Sequence, residues 1–161
     1  MSIVTLEQAK AHLRVDGTDE DALIEVYLDA AEQSAADYME RNLYEAAGDL
    51  ADAIAAVHDA MAAATATYEA DVEAAEAIDD AVERAIALRR ADSIYAAAQD
   101  SAARTCSGMV MTQAVRSAVL LLVGHLYQNR SAVVDSSRAQ VAEAPLAVRW
   151  LLDPHRTGLG V

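Results

Sequence analysis

The run Val110–Val134, VMTQAVRSAVLLLVGHLYQNRSAVV, constrains this chain more than any other stretch. Val115, Ala118, Val119, Leu122 and Leu126 recur at helical spacing and form one apolar stripe. Leu121 and Val123 lie off that stripe, so a helix built here is apolar nearly all round at its middle. Such a helix needs neighbours on several sides, which makes it the expected centre of a packed body. The unbroken apolar run Ala118–Val123 is far shorter than the roughly 20 residues that span a bilayer, and Arg116 and His125 flank it. A core helix is expected, not a membrane span.

Two prolines and six glycines in 161 residues leave few places to break a helix, and alanine supplies most of the excess of apolar residues. The expected fold class is therefore all-α, a compact helical bundle. Thr5-Leu6-Glu7-Gln8 has the capping-box pattern, which predicts a first helix from Leu6 to Leu13 or Arg14. Val15-Asp16-Gly17 reads as the turn after it. Thr18 then opens a second helix, with Asp19, Glu20 and Asp21 suited to the positive end of the helix dipole, running to about Asn42. Leu23, Ile24, Tyr27, Leu28, Ala31, Ala35 and Tyr38 share one side of it. The core expected from these two helices is Leu13, Leu23, Ile24, Tyr27 and Tyr38. To it the later segments add Val115, Val119, Leu122 and Leu126, then Leu146 and Leu151.

Between Glu45 and Arg104 the composition shifts to alanine and acids, without proline and with Gly48 as the one glycine. Leu50, Ile54, Val57, Met61, Ala64 and Tyr68 alternate spacings of four and three, a heptad-like seam. Val72, Ile78, Val82 and Ile86 continue it with phase slips. One straight helix over this span would reach roughly 90 Å at about 1.5 Å per residue, so a chain whose flanks share one body must come back. A projecting helical hairpin is expected, inserted as residues 45–106 into a body of 1–44 and 107–153. Its reversal is placed between Thr65 and Asp80, with Asp79-Asp80-Ala81-Val82-Glu83 able to cap the returning arm. Ser107-Gly108 closes the excursion, Asp135-Ser136-Ser137-Arg138 forms a polar loop, and Pro145 starts a last helix, Leu146–Leu152. Pro154 stops that helix, and residues 154–161 are expected to be a flexible tail.

A net charge of −14 argues against gripping nucleic-acid phosphates or an anionic membrane surface. The acids of the excursion read as a solvated face. The single cysteine, Cys106, excludes an intramolecular disulfide and fits a reducing compartment. MSIVTLEQAK has neither a basic n-region nor an apolar h-region, so a cytoplasmic site of synthesis and use is expected. The DGTDED cluster fails as a calcium loop, because Asp21 and Tyr27 stand where the loop glycine and final glutamate belong. His12, His58, His125 and His155 form no zinc-type pair, and nothing near Cys106 would activate it as a nucleophile. No nucleophile elbow, phosphate loop or dinucleotide fingerprint occurs. The residues thus describe an acidic all-α interaction protein, with no enzymatic activity, catalytic residue, metal or cofactor expected.

Two segments carry a resemblance. LEQAKAHLRVDGTDEDALIEVYLDAAEQSAADYMER resembles the N-terminal region of the tailed-phage head–tail connector, or adaptor, family. VRSAVLLLVGHLYQNR followed by APLAVRWLLDPHR is similar to that family's central helix and C-terminal end. The resemblance implies a non-enzymatic subunit of a homo-oligomeric ring, about twelve copies if the family's symmetry holds. Such a ring docks beneath the portal protein at the virion head–tail junction and presents a platform to the next head-completion or tail protein. DNA passes through it without sequence-specific binding, and no membrane is involved. The tail residues Pro154, His155, Arg156, Leu159 and Val161 are the candidate docking set for the portal or a neighbouring subunit. His155 and Arg156 put positive charge on an acidic chain, and the glycines between leave an extended path open. The excursion is longer than the connection in compact members. A small cytoplasmic regulatory or antitoxin-like binding module is the alternative class, distinguished by a small oligomer and a partner other than a portal.

Overall fold

The first helix begins at its capping box. In a computed structural model that describes residues 2–129 and 146–157, the Gln8 N–H donates to Thr5 Oγ1 and the Thr5 N–H to Gln8 Oε1, both at 3.2 Å. α1 (Leu6–Leu13) ends at Arg14, whose left-handed backbone (φ 59°) turns its N–H onto the Lys10 and Ala11 carbonyls. The turn thus opens before Val15-Asp16-Gly17. α2 (Asp21–Met39) starts later than Thr18 and stops short of Asn42. The Thr18 carbonyl accepts the Asp21 N–H at 3.2 Å, and Asp19 and Glu20 precede the helix. At its end Glu40 takes φ 58°, and Glu40 and Arg41 donate to the Asp37 and Ala36 carbonyls. Those bonds close the helix without glycine.

Two further residues then find backbone partners that the sequence did not disclose. β1 (Leu43–Tyr44) pairs with β2 (Met109–Val110), and the Met111 N–H donates to the Tyr44 carbonyl at 2.9 Å. The remaining elements are α3 (Ala47–Glu76), α4 (Ala81–Cys106), α5 (Gln113–Gln128), α6 (Leu146–Leu152) and a 3-10 turn, Asp153–His155. They sort into two units, one of residues 1–45 with 110–161 and one of 46–109. The polar loop at Asp135–Arg138 and the Pro145 helix start lie outside the described residues.

The first unit is a helical body around α2 and α5. Ile24, Leu28, Ala31, Ala35 and Met39 of α2 are buried with Val115, Ala118, Val119 and Val123 of α5. Val148 and Leu152 of α6 close one side, and Val4 and Ala9 are buried near the N-terminus. The expected core needs correction. The fully buried row on α5 is Val115-Val119-Val123, while Leu122 and Leu126 are half-buried. Ridges of residues four apart are the commonest packing surface between helices, and the small Ala31, Ala35 and Ala118 suit a close approach. Leu13, Leu23, Tyr27, Tyr38 and Leu151 are likewise half-buried, and Leu146 is 67 % exposed; Leu152, not Leu146, is the deep residue of α6. Cross-ties frame the body: Lys10 Nζ to Asp21 Oδ1 at 2.5 Å, Arg116 Nη1 to Gln8 Oε1 at 3.0 Å, and Tyr127 to Glu20.

The second unit is a two-helix hairpin. Asp80 caps α4 by accepting from the Val82 and Glu83 N–H groups at 2.9 and 2.8 Å, and Arg84 Nη1 donates back to the Ile78 carbonyl at 2.9 Å. The reversal therefore occupies residues 77–80. Between the arms the Tyr68 and Tyr95 rings stack at 4.9 Å, and Tyr68 Oη donates to Asp92 Oδ1 at 2.9 Å. The deepest side chains of the seam are Ala75 and Ala91. Val82 and Ile86, read as a continuation of the stripe, face outward at 69 and 61 % exposure. α4 turns Ala91 inward, while Val82 stands out and Ile86 lies at the open side of the groove between the arms.

Candidate docking surfaces

α6 and the 3-10 turn deliver the C-terminal residues onto the end of α2, because Pro154 cannot extend the helix and sits in the first turn of the 3-10 segment instead. The chain from Asp153 to Thr157 is not a free end. Tyr38 Oη donates to Asp153 Oδ1 at 2.5 Å. The Arg156 guanidinium lies over the Tyr38 ring, 4.9 Å from its centroid, with Glu40 Oε1 3.8 Å from its Nη2. The Thr157 N–H donates to the Met39 carbonyl at 3.0 Å, and its hydroxyl reaches the Met39 and Glu40 carbonyls at 3.2 and 3.1 Å. These bonds satisfy acceptors that the last turn of a helix leaves open. The Asp153 carboxylate accepting its proton, some desolvation and the negative charge of Asp153 together raise the Tyr38 pKa above the ordinary tyrosine value.

The expected flexible tail is thus corrected over its first part. Pro154 is exposed, His155 and Arg156 are half-buried, and Arg156 is held by the body. Leu159 and Val161 lie outside the described residues. Sequence reading missed that Asp153, Thr157, Tyr38 and Glu40 make a clasp.

Two apolar surfaces are open. On α6, Leu146 and Trp150, one helical turn apart, are 67 and 75 % exposed. On the hairpin, Val82, Ile86 and Ile94 of α4 stand out beside Arg89 and Arg90, and Ile54 of α3 is partly exposed. An open groove of about 410 Å³ between the arms is lined by Ala74, Ala75 and Ile78 on one side and Ile86, Arg90 and Ile94 on the other. Among the described residues no group of three or more His, Cys, Asp and Glu is placed to hold a metal, and no helix is long and apolar enough to cross a membrane. Contiguous exposed apolar and aromatic side chains are the kind of surface at which proteins meet.

The family model of the phage gp6-like head-tail connector protein matches residues 3–96, more than half of the chain. The chain belongs to that connector family. The match takes in α1, α2, α3 and most of α4, so it includes the first of the two resembling segments and stops before the second. It also runs through the turn of the hairpin. Searches of curated proteins and of solved structures return no match. As a member of a structural family, this protein is a phage head–tail connector component.

Proposed function

We propose that this connector protein is one subunit of a ring of about twelve copies that docks beneath the portal at the virion head–tail junction. The ring extends the DNA channel and offers its far side to the next head-completion or tail protein. The observation that carries this reading is the family match through residues 3–96. The net charge of −14 supports a conduit that repels a passing duplex, since binding would require Lys and Arg along the phosphates.

Docking to the portal or a neighbour is assigned to the C-terminal end, with Pro154 and His155 at the surface, Arg156 as the anchor, and Leu159 and Val161 beyond it. Truncation after Thr157 leaves the Arg156 anchor and the Thr157 contacts with α2 intact, which makes it the informative deletion. Portal-bearing heads assembled without the protein are the test material. Added protein should render them competent to join tails, and the truncated chain should fold but fail to do so. Heads that complete equally well without the protein would refute the connector reading, and full activity of the truncation would refute the tail assignment. In a gel shift at physiological salt the protein should not retain duplex DNA; submicromolar retention would contradict the conduit.

A further inference from the structure

The two arms of the hairpin differ in charge far more than their shared alanine content suggests. α3 carries seven acids, Asp49, Asp52, Asp59, Glu69, Asp71, Glu73 and Glu76, all exposed, and no lysine or arginine. α4 carries four arginines against three acids. Arg84 is spent on the turn carbonyl, and Arg104 has a partner. Arg89 and Arg90 are exposed and make no ion pair among the described residues. They stand with the exposed Val82, Ile86 and Ile94; Ile86, Arg90 and Ile94 also line one side of the open groove between the arms, where Asp71 and Glu83 join them, and Arg89 lies outside that groove. The outer side of α3 at the same level is alanine with Glu69, Glu73 and Glu76.

We propose that a second copy of this chain covers this patch, the outer face of α4 around Ile86, Arg89 and Arg90 packing on the acidic face of α3 around Glu73 and Glu76 of its neighbour. The charge asymmetry selects this pairing, because α3 on α3 places acids against acids, and α4 on α3 places arginines against them. Large side chains of α4 meet alanines of α3, which permits a close approach. The register follows from the hairpin itself. Within one chain Tyr68 is level with Asp92 and Tyr95, so Arg89 and Arg90 are level with the stretch from Asp71 to Glu76. Copies related by rotation about a common axis lie side by side with hairpins pointing the same way, which puts α4 of one antiparallel to α3 of the next at the same level. The contact is heterologous, with different faces on its two sides, as a closed ring requires. In this respect the inference rests on the connector-ring reading, though the pairing of faces comes from the hairpin alone.

Sedimentation of the full chain tests it, together with portal rings as a scaffold. The wild type should self-associate, more strongly at low salt. Reversing Arg89→Glu with Arg90→Glu should weaken association by about tenfold or more, as should Glu73→Arg with Glu76→Arg. The chain carrying all four changes should recover. Ile86→Ser should weaken association at every salt concentration, and unchanged circular dichroism would show that each variant folds. In a Cys106→Ser background, cysteines placed at 89 and 73 should cross-link between copies, in solution or on portal rings. Variants that associate like the wild type, or a wild type that stays monomeric in solution and gives no 89–73 cross-link on portal rings, would overturn the interface. Portal binding with no effect of the charge reversals removes this interface and leaves the connector reading standing. Self-association that obeys the reversals without any portal binding does the opposite.

Discussion

The body and the hairpin are both helical, yet they are held together by different means. The body fully buries large side chains, among them Ile24, Leu28, Met39 and Leu152. In the hairpin the deeply buried side chains are Ala75 and Ala91. Buried apolar area stabilises by roughly 25 cal/mol per Å², so an alanine seam contributes little of it. The hairpin relies instead on helix propensity, one cap at Asp80, the Tyr68–Tyr95 stack and the Tyr68–Asp92 hydrogen bond. Both regions still leave large apolar side chains outside, Val82, Ile86 and Ile94 on the hairpin and Val26, Leu146 and Trp150 on the body, so such exposure does not depend on how the region is held.

The sharpest way to break that contrast is one truncation in each region. Leu28→Ala in α2 should cost about 2–5 kcal/mol, because it empties a site with no solvent access. Leu88→Ala in α4, where the side chain is already half-exposed, should cost markedly less. Chemical denaturation followed by circular dichroism reads both. Equal losses would mean that the hairpin has a core of the same kind as the body.

Next in size is the cap. Asp80→Ala removes the acceptor of two N–H groups at the start of α4 and should cost about 1 kcal/mol. The loss should appear as fraying at the turn, seen as faster amide exchange at Val82 and Glu83. Unaltered exchange there would show that the Arg84 bond to the Ile78 carbonyl is sufficient by itself.

The cap and the capping box were legible because each is a short pattern whose partners lie within a few residues. Thr5 with Gln8, and Asp80 with Val82 and Glu83, needed no knowledge of the rest of the chain. The central role of Val115–Val123 was legible for a similar reason, since an all-round apolar helix has nowhere else to go. Which face of it goes deepest was not. The helical stripe took in Leu122 and Leu126 and left Val123 off, whereas the fully buried row ends at Val123. Val82 and Ile86 were misplaced because periodicity cannot see the phase reset at a turn. The C-terminal clasp joins Tyr38 to Asp153, 115 positions apart, and no local pattern announces such a pair.

A smaller effect is expected from removing the hairpin altogether. If residues 47–107 are replaced by a short Gly/Ser linker, the body should still unfold cooperatively, with its midpoint shifted by no more than about 1 kcal/mol of stability, the range of surface and loop changes. Leu28→Ala should remain as costly in the shortened chain as in the full one. Loss of a cooperative transition would make the two units one folding unit.

The smallest expected effect lies at the clasp, where the body holds its own C-terminal end by polar contacts and not by burial. The Tyr38 pKa is raised, chiefly by the hydrogen bond to Asp153, so its protonated form is the one the fold favours. A raised pKa contributes stability that is complete below the unfolded tyrosine value of about 10 and disappears as pH climbs through the folded value. Wild type and Tyr38→Phe should therefore differ in melting temperature by a small constant amount at neutral pH. That difference should shrink to nothing once Tyr38 ionises and its oxyanion faces the Asp153 carboxylate. The Thr157 N–H, bonded to the Met39 carbonyl, reports the same event locally, and its exchange should be faster in Tyr38→Phe. Arg156 can still stack on a phenylalanine ring, so the clasp should loosen without opening. A melting difference that persists unchanged well above the tyrosine pKa would show that the ring, and not its hydroxyl, holds the C-terminal end to α2.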